Sequence, residues 1–359
     1  MKRWRVAGIN FDHFHMGDLL RQASEHPEVE IVGISDEFPE RMEGARRNFG
    51  LGDDQAFTDY RACLEKTKPD IVILCPAASR HGQWVQNVAP FGTHIIMEKP
   101  FAGSLGEADS MVAAMQPTGK LLAVNWPLVW QAAQQTAHRL ILEGVIGEVR
   151  EFHHYGGNRG PLYHGADKID NEPTPEEKAA SWFYSKAKGG GSLLDYMGYG
   201  TTLGTWHLGG RKPLEVSCTW NIPEGLEVDE HAVAVIRYAF GLSKTETRWG
   251  TFTDPWTLQP QPTCGFVIVG SEGTISCPDY AEVLRVQTHD APEGFNVPVD
   301  TLMGPNRNPI ENVIHSLETG DSLIGPLRLD ISRIGQQIVD TAFRSAVEKR
   351  TLALIEQGS

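Results

Sequence analysis

A lysine directly after a predicted buried strand is the residue of this sequence best placed for chemistry. The apolar run at residues 94–97 predicts a short parallel strand, and Pro100 prevents its continuation, so Glu98 and Lys99 lie at its carboxyl end. In an open parallel α/β sheet, ligands bind in the crevice at that edge. An ammonium group there can approach a substrate, which makes Lys99 the first candidate catalytic residue.

A second candidate pair follows three consecutive glycines in the other half of the chain. Residues 189–191 are all glycine and lead into a predicted helix, where the absence of side chains lets the backbone come close to a ligand. Asp195 and Tyr199 are four residues apart, so both project from one face of that helix. A carboxylate and a phenol in this arrangement are candidates for substrate binding and proton transfer.

The loop after the first predicted strand, residues 4–9, partly matches a dinucleotide-binding loop. Such a loop carries glycines so that backbone amides at a helix N-terminus can close on a pyrophosphate. Here Gly8 is retained, whereas Asn10 and His13 occupy the second and third glycine positions. Asparagine tolerates left-handed backbone geometry better than most residues. The predicted cofactor contacts in this loop are Gly8, Asn10, Phe11 and His13.

An acidic residue ends the second predicted strand, residues 29–35. Asp36 can accept hydrogen bonds from the adenosine ribose hydroxyls, whereas a 2′-phosphate would require a basic residue there. Glu37 follows it. The pair therefore favours NAD over NADP as the cofactor.

Composition and charge exclude several classes of protein. The formal net charge is −14 and the sequence has no basic run, so neither nucleic acid nor an anionic membrane is predicted as a partner. No signal peptide or membrane span is predicted, which favours a cytoplasmic protein. The five cysteines contain no C-x-x-C pair, and Asp12, His13 and His15 form an incomplete ligand set. No metal and no disulfide is therefore predicted.

The pattern of elements predicts an α/β protein. In the first half, apolar strands alternate with helices of about ten residues, which is typical of a doubly wound parallel Rossmann sheet. From Pro213 onward, alternating strands predict an α+β domain with a large, mostly antiparallel open sheet. We predict a dinucleotide-binding domain at residues 1–126 and a substrate-binding and oligomerisation domain at 127–327. A C-terminal segment, residues 328–359, is predicted to contain a long helix.

Three motifs in these positions resemble one enzyme family. Cys75-Pro76-x-x-x-x-His81, Met97-Glu98-Lys99-Pro100-Phe101 and Asn125 at the end of a strand are similar to the Gfo/Idh/MocA oxidoreductases, named for glucose-fructose oxidoreductase and inositol dehydrogenase. The resemblance implies that Lys99 lies beside the nicotinamide and the reacting hydroxyl. It also implies cofactor contacts at Cys75, Pro76, His81, Glu98 and Lys99, and a substrate contact at Asn125. The resemblance further implies that the C-terminal helix, within residues 328–359, packs back on the first domain.

The resemblance also implies roles for Asp195 and Tyr199. The family carries an aspartate and, four residues later, a histidine, as substrate-binding carboxylate and general base. Asp195 fits this pattern, but Tyr199 departs from it. Lys99 held close would favour the phenolate form, so Tyr199 can serve as the base. The alternatives are His153, His154 or His207, or Lys99 itself.

A long polar segment, residues 156–188, is interpreted as a lid over a sugar pocket. It carries Arg159 and Trp182, whose indole can stack on a sugar face. With Tyr155, which precedes the segment, these are predicted substrate contacts. The uncovered face of the second sheet must be buried somewhere, so a homo-oligomer, dimer or tetramer, is predicted through it.

The leading hypothesis is an NAD-dependent oxidoreductase that takes a hydride from a ring carbon of a sugar, cyclitol or glycoside. The first alternative is a redox-neutral, NAD-dependent glycoside hydrolase that oxidises, eliminates, adds water and reduces again. Some family members resemble that case, including ones acting on sulfoquinovosides. A second alternative is a catalytically silent NAD-binding sensor.

Overall fold

Two sheets, each in its own compact unit, organise the protein. The computed structural model describes residues 3–358 apart from the side chain of Asp167, so the predicted domain ends at residues 1 and 359 lie outside it. The first unit contains the described residues up to Asn125, with Leu162–Pro173 and Gly304–Leu329. The second contains Trp126–Pro161, Thr174–Met303 and the described residues from Asp330 onward. The three-part division predicted from the sequence stays a prediction.

The first unit contains a six-stranded, wholly parallel sheet. Its strands are β1 (Trp4–Ile9), β2 (Val29–Ser35), β3 (Ala56–Phe57), β4 (Ile71–Leu74), β5 (His94–Glu98) and β6 (Leu122–Asn125). Their order in the sheet is β3-β2-β1-β4-β5-β6. The direction of winding reverses between β1 and β4, and a crevice opens beyond the carboxyl ends of these strands. The predicted Rossmann sheet is confirmed.

Helices connect these strands and cover the sheet. They are α1 (His15–Glu25), α2 (Pro39–Phe49), α3 (Tyr60–Thr67), α4 (His81–Val88) and α5 (Leu105–Met115). The strands β4 and β5 are buried along almost their whole length. Continuous apolar runs of this kind form central parallel strands, because helices exclude water from both faces.

The second unit contains a nine-stranded, mostly antiparallel sheet. Its strands are β7 (Val149–Asn158), β8 (Glu215–Asn221), β9 (His231–Arg237), β10 (Leu242–Trp249), β11 (Gly265–Gly270), β12 (Gly273–Pro278), β13 (Val283–Thr288), β14 (Phe295–Pro298) and β15 (Leu352–Ala353). Their order is β14-β13-β12-β11-β7-β10-β9-β8-β15, and β7 and β10 pair in parallel. The predicted α+β architecture with a large antiparallel sheet is thereby confirmed.

The remaining helices are α6 (Ala132–Leu142), α7 (Pro175–Ala180), α8 (Ser192–His207), α9 (Pro309–Thr319) and α10 (Leu329–Glu348). The helix α8 lies on one face of the second sheet, against β7 and β10. Burial alternates along the strands: in β9, Ala232, Ala234 and Ile236 are buried, whereas Val235 is exposed on the other face. The strand β9 therefore has one covered face and one exposed face within the described residues.

The predicted lid differs from the observed structure at its start. The strand β7 continues to Asn158, because Gly156 and Gly157 extend its ladder with β10. Leu162–Pro173 then belongs to the first unit and places Ala166 against Gly17 of α1. In the described part of the chain, no helix has the length and apolar character needed to cross a membrane.

Candidate functional site

The carboxyl ends of β1, β4, β5 and β6 bring several predicted site residues together. Glu98 ends β5 and Asn125 ends the neighbouring β6, directly opposite it. The loop after β1 is joined to the end of β4, since the His13 amide donates to the Cys75 carbonyl at 2.9 Å. Lys99 follows Glu98 and is 4% exposed. This edge is where an open parallel sheet binds its ligand.

Glu98 is held from two sides by side chains distant in sequence. Its carboxylate lies 2.7 Å from His15 Nδ1 and accepts a hydrogen bond from Asn125 Nδ2 at 2.8 Å. Glu98 has no exposed surface. A buried carboxylate held at both oxygens fixes the backbone of the next residue, Lys99. Asn125 is predicted to bind substrate. In the structure its side-chain amide donates a hydrogen bond to Glu98.

Replacing Glu98 with glutamine is expected to destabilise the first unit by about 2–3 kcal/mol, because a buried charged hydrogen-bond acceptor is removed from His15. Calorimetric melting of the full chain measures the effect. Glu43→Gln is the control, since Glu43 forms an exposed pair with Arg47, and its melting temperature should not change. An unchanged melting temperature for Glu98→Gln would show that the carboxylate is not a structural anchor.

The loop after β1 has the backbone geometry that a dinucleotide needs. Asn10 has φ of 67°, in the left-handed region where glycine is usual. Its side-chain oxygen accepts the Asp12 amide at 2.9 Å, which stabilises this conformation. Gly8 lies under α1, where an added β-carbon would be 2.9 Å from Met16 Sδ. The residues present therefore fit the pyrophosphate of NAD, with Asn10 in the role of a glycine.

His13 is a neutral hydrogen-bond donor. Burial first, and then the charges of His15 and Lys99, hold the pKa of His13 well below its ordinary value. Its Nδ1 accepts the backbone amide of His15 at 3.1 Å, which places the ring proton on Nε2. His13, His15 and Glu98 could offer three ligand atoms within 4.8 Å of one another. A protonated Nε2 suits a donor to a phosphate or ribose better than a metal ligand.

Asp36 lies beside the same loop. Its Oδ2 accepts the Phe11 amide at 2.7 Å and its Oδ1 accepts the Phe38 amide at 2.9 Å. Burial raises the pKa of Asp36, and the two amides oppose that effect. The structure thus brings together Asp36 and Phe11, two of the predicted cofactor contacts.

Cys75 and His81 lie in or beside the loop that follows β4, and both are buried. Burial raises the pKa of the Cys75 thiol well above its usual range, so the thiol stays protonated and unreactive. His81 is fully buried, with its ring nitrogens 3.2 Å from the carbonyl oxygens of Phe101 and Pro76. Burial also lowers the pKa of His81. The ring lies between the loop after β4 and the loop after β5.

In the second unit, Asp195 and Tyr199 lie one turn apart on α8, as predicted, and both are buried. Asp229 caps this helix, since its Oδ2 accepts the Ser192 hydroxyl at 2.6 Å and the Leu193 amide at 2.9 Å. The Tyr199 ring makes edge contacts with Trp126 and Tyr196, at centroid distances of 5.6 and 4.9 Å. These contacts orient the phenol.

The structure does not bring His153 or Tyr155 to this helix. Along β7, His154 faces α8 beside Gly200, so His153 and Tyr155 point to the opposite face of the sheet. His153 Nε2 lies 2.8 Å from a Glu151 oxygen. His153 and Tyr155 help to line a shallow depression of about 340 Å³ on that face.

The other predicted groups of the second unit have structural partners. His154 and His207 are buried, and His207 Nε2 lies 2.9 Å from Gln134 Oε1. Arg159 donates from Nε to the buried carboxylate of Asp254 at 2.8 Å. Trp182 stacks on Phe183 at a centroid distance of 3.9 Å.

Asp279 is a buried acid that sequence reasoning missed. It is 4% exposed, and within residues 3–358 its Oδ1 has no hydrogen-bond partner. Burial raises its pKa to about 7. Burial, and secondarily the Asp279 carboxylate, raises the pKa of both Cys264 and Cys277 to about 12. No local pattern identifies this residue, because its burial arises from tertiary packing.

Replacing Asp279 with asparagine is expected to stabilise the protein at pH 8 by up to about 4 kcal/mol. The folded-state pKa exceeds the unfolded value near 3.8, so wild-type stability falls as pH rises between about 4 and 7. The advantage of the variant should therefore shrink below pH 7 and vanish near pH 4. Melting curves at pH 4, 6 and 8 measure this, and a constant difference across them would contradict it.

Comparisons with known proteins agree with this geometry. Residues 2–126 match the model of an oxidoreductase family with an NAD-binding Rossmann fold, GFO_IDH_MocA. Residues 134–276 match the GFO/IDH/MocA C-terminal domain. Together the two models cover about three quarters of the chain.

Two curated relatives of this chain are dehydrogenases. The chain is 35% identical over 119 residues to D-apiose dehydrogenase of Paraburkholderia graminis, covering 33% of this chain and 31% of that protein. It is 27% identical over 147 residues to the NAD(+)-dependent scyllo-inositol 2-dehydrogenase of Bacillus subtilis, covering 41% and 42%. The aligned stretch thus spans less than half of either relative.

Solved structures share the fold over almost the whole length. The aldose-aldose oxidoreductase of Caulobacter crescentus, complexed with glycerol, has a TM-score of 0.78 at 18% identity, covering 98% of this chain and all of that one. A levoglucosan dehydrogenase complexed with NADH and levoglucosan has a TM-score of 0.77 at 18% identity, covering 99% and 100%. At this identity the likeness shows the fold alone.

Proposed function

The chain belongs to the Gfo/Idh/MocA oxidoreductase family, and on that premise we propose that it is an NAD-dependent enzyme that removes a hydride from a ring carbon of a sugar, cyclitol or glycoside. The observation that carries the proposal is the buried Lys99 at the carboxyl end of β5, beside the anchored Glu98. The sugar and cyclitol dehydrogenases among the relatives support the substrate class.

Each candidate residue has a role in this reaction. NAD, when bound, supplies the hydride acceptor. The dinucleotide loop at Gly8, Asn10 and His13 holds the phosphates, and Asp36 holds the adenosine ribose. Lys99 binds the hydroxyl oxygen of the reacting carbon and stabilises the negative charge that develops there.

The proton of that hydroxyl needs an acceptor. We assign this role to Tyr199, and we assign to Asp195 a hydrogen bond to a second substrate hydroxyl. Desolvation raises the pKa of the neighbouring Tyr196 well above its ordinary value, which makes Tyr196 a poorer proton acceptor than an ordinary tyrosine. The placement of His153 on the other face of the sheet favours Tyr199 over it.

Incubation of the purified protein with NAD and a panel of sugars, cyclitols and aryl glycosides tests this function. NADH absorbance and released aglycone are followed together. NADH formed in proportion to substrate, without aglycone, supports the dehydrogenase and identifies its substrate class. Aglycone released at catalytic NAD without net NADH would instead identify the redox-neutral glycosidase. NAD binding without turnover on any member would favour the silent sensor.

We further propose that the protein is a homo-oligomer through the open face of the second sheet. Apolar side chains on that face are 38–50% exposed: Val235, Leu242, Val267 and Val283. A face of this kind is stabilised by a second copy. Light scattering should give a multiple of the 39.7 kDa chain mass, and the double variant Val235→Glu/Val267→Glu should be monomeric. A monomeric wild type would contradict the assignment.

A further inference from the structure

The Lys99 loop, residues 99–103, is held at its far end by the start of α4. His81, the first residue of α4, places Nδ1 3.2 Å from the carbonyl oxygen of Phe101. Phe101 itself has no exposed surface. The residue before the loop is anchored too, because the Glu98 carboxylate is bound by two side chains. The backbone is therefore fixed on both sides of Lys99.

A carboxylate from the next helix joins the same two segments. Glu107, in the first turn of α5, accepts the Gly103 amide at Oε2 (2.9 Å) and the Gly82 amide at Oε1 (2.8 Å). Gly82 is the second residue of α4, a position where the amide of a helix has no acceptor within the helix. Glu107 therefore connects the end of the Lys99 loop to the start of α4 through both of its oxygens.

This use of the carboxylate differs from the usual one at the start of a helix. Ser104 caps α5, since its hydroxyl accepts the Glu107 amide at 3.2 Å. An acidic residue three positions after such a cap typically accepts the amide of the capping residue, which stabilises its own helix. The Glu107 oxygens instead accept two amides that lie outside α5. These partners indicate a role beyond the capping of α5.

Two glycines make room for this arrangement. A β-carbon at Gly82 would lie 2.4 Å from Glu107 Cγ, so a larger residue there would displace the carboxylate. A β-carbon at Gly103 would lie 3.0 Å from Glu107 Oε2 and 3.2 Å from the α-carbon of Ser79, in the connection from β4 to α4. The end of the Lys99 loop therefore packs directly on that connection.

We propose that Glu107 is a positioning residue for Lys99. By holding Gly103 against the start of α4, its carboxylate fixes the path of the loop and hence the place of the Lys99 ammonium group. This role rests on the proposed function, in which Lys99 stabilises the developing alkoxide. A catalytic group needs such support, because a displacement of about 1 Å can lower a rate by about 100-fold. Glu107 acts through the loop and is not itself a catalytic residue.

Glu107→Gln tests the role, because an amide side chain has only one oxygen and its NH₂ group cannot accept a hydrogen bond. Its kcat is expected to fall roughly 10- to 30-fold. Hydrogen exchange of the full chain without substrate, followed by mass spectrometry, should be faster in peptides that cover residues 99–103. Glu107→Asp, with a side chain one methylene shorter, replaces this variant if Glu107→Gln does not fold, and the same results are expected.

Ser104→Ala is the matched control, because it weakens α5 without removing the bridge between the loop and α4. Loss of this cap should lower the melting temperature by about 2–4 °C. Both kcat and the exchange of residues 99–103 should stay within about twofold of wild type. A general weakening of α5 would instead lower kcat in Ser104→Ala as much as in Glu107→Gln, and that result would overturn the proposal.

Combination with Lys99→Ala shows whether Glu107 acts through the lysine. If it does, the Lys99→Ala/Glu107→Gln protein should have a kcat within about twofold of that of Lys99→Ala, since the group that Glu107 positions is already absent. A further loss of about 10-fold in the double variant would show that Glu107 acts independently of Lys99, which would overturn the proposal.

The exchange measurement separates this proposal from the proposed function, because it needs no substrate. Unchanged exchange of residues 99–103 in Glu107→Gln would overturn the proposal. So would faster exchange with a normal kcat, which would make Glu107 a structural anchor alone. A wild-type chain that turns over no member of the substrate panel would overturn the proposed function itself, and with it the part of Glu107 in catalysis.

Discussion

Lys99→Ala is expected to lower kcat by about 10³-fold, equivalent to about 4 kcal/mol of transition-state stabilisation. The physical reason is the position of Lys99, which is buried at the carboxyl end of β5 next to a carboxylate held by His15 and Asn125. An ammonium group there stabilises the developing alkoxide in a site from which water is largely excluded. Steady-state NADH formation with the substrate found in the panel measures the effect.

Two further variants separate catalysis from folding. Lys120→Ala removes an exposed lysine just before β6 in the same unit, and its kcat should be unchanged. Lys99→Arg keeps the charge but changes its shape, and it should recover only a small part of the lost rate. If the Lys99→Ala protein melts as wild type and keeps kcat within tenfold, then Lys99 is not catalytic.

Tyr199→Phe is expected to lower kcat by at least 10²-fold, because the phenol hydroxyl is the proposed proton acceptor. The ring contacts with Trp126 and Tyr196 are retained in this variant, so the helix should keep its packing. The profile of kcat/KM against pH should also lose the limb that reports ionisation of the base. Both quantities are measured with the same substrate, from pH 5 to pH 10.

Tyr196→Phe is the matched control for this prediction. It removes the same hydroxyl from the neighbouring ring, whose raised pKa keeps it protonated, so kcat should stay within about threefold. His153→Asn should likewise have little effect, since His153 faces the other side of the sheet. Equal losses for the two tyrosine variants would indicate a packing defect, and normal activity of Tyr199→Phe would return the assignment to the histidines.

Most of the fold follows from short-range pattern. The strand Val29–Ser35 has the predicted ends, because an apolar run is a local signal. The strand Ala56–Phe57 and the helix Leu105–Met115 have no counterpart in the prediction. The former is only two residues long and forms by pairing with β2, an interaction that the local sequence does not encode.

The sequence alone identifies a site residue only where that residue lies at the end of a predicted strand. Lys99 and Asp36 could be identified because each follows an apolar run. The contact of Glu98 with His15 joins residues 83 positions apart, and no local signal predicts it. Alternation along β7 predicts that His153 and Tyr155 share a face, but it does not say which face α8 covers.

Transfer of deuterium tests the central claim most directly. The protein is incubated with NAD⁺ and with ring-deuterated glucose, methyl glucoside and inositol, and the nucleotide is recovered after denaturation and analysed by mass spectrometry and proton NMR. We expect reduced nucleotide carrying one deuterium at the nicotinamide C4 with at least one of these substrates, formed about 10³-fold more slowly by the Lys99→Ala variant. Bound nucleotide that stays oxidised with every substrate, or that gains hydrogen from solvent alone, would contradict hydride transfer from a ring carbon.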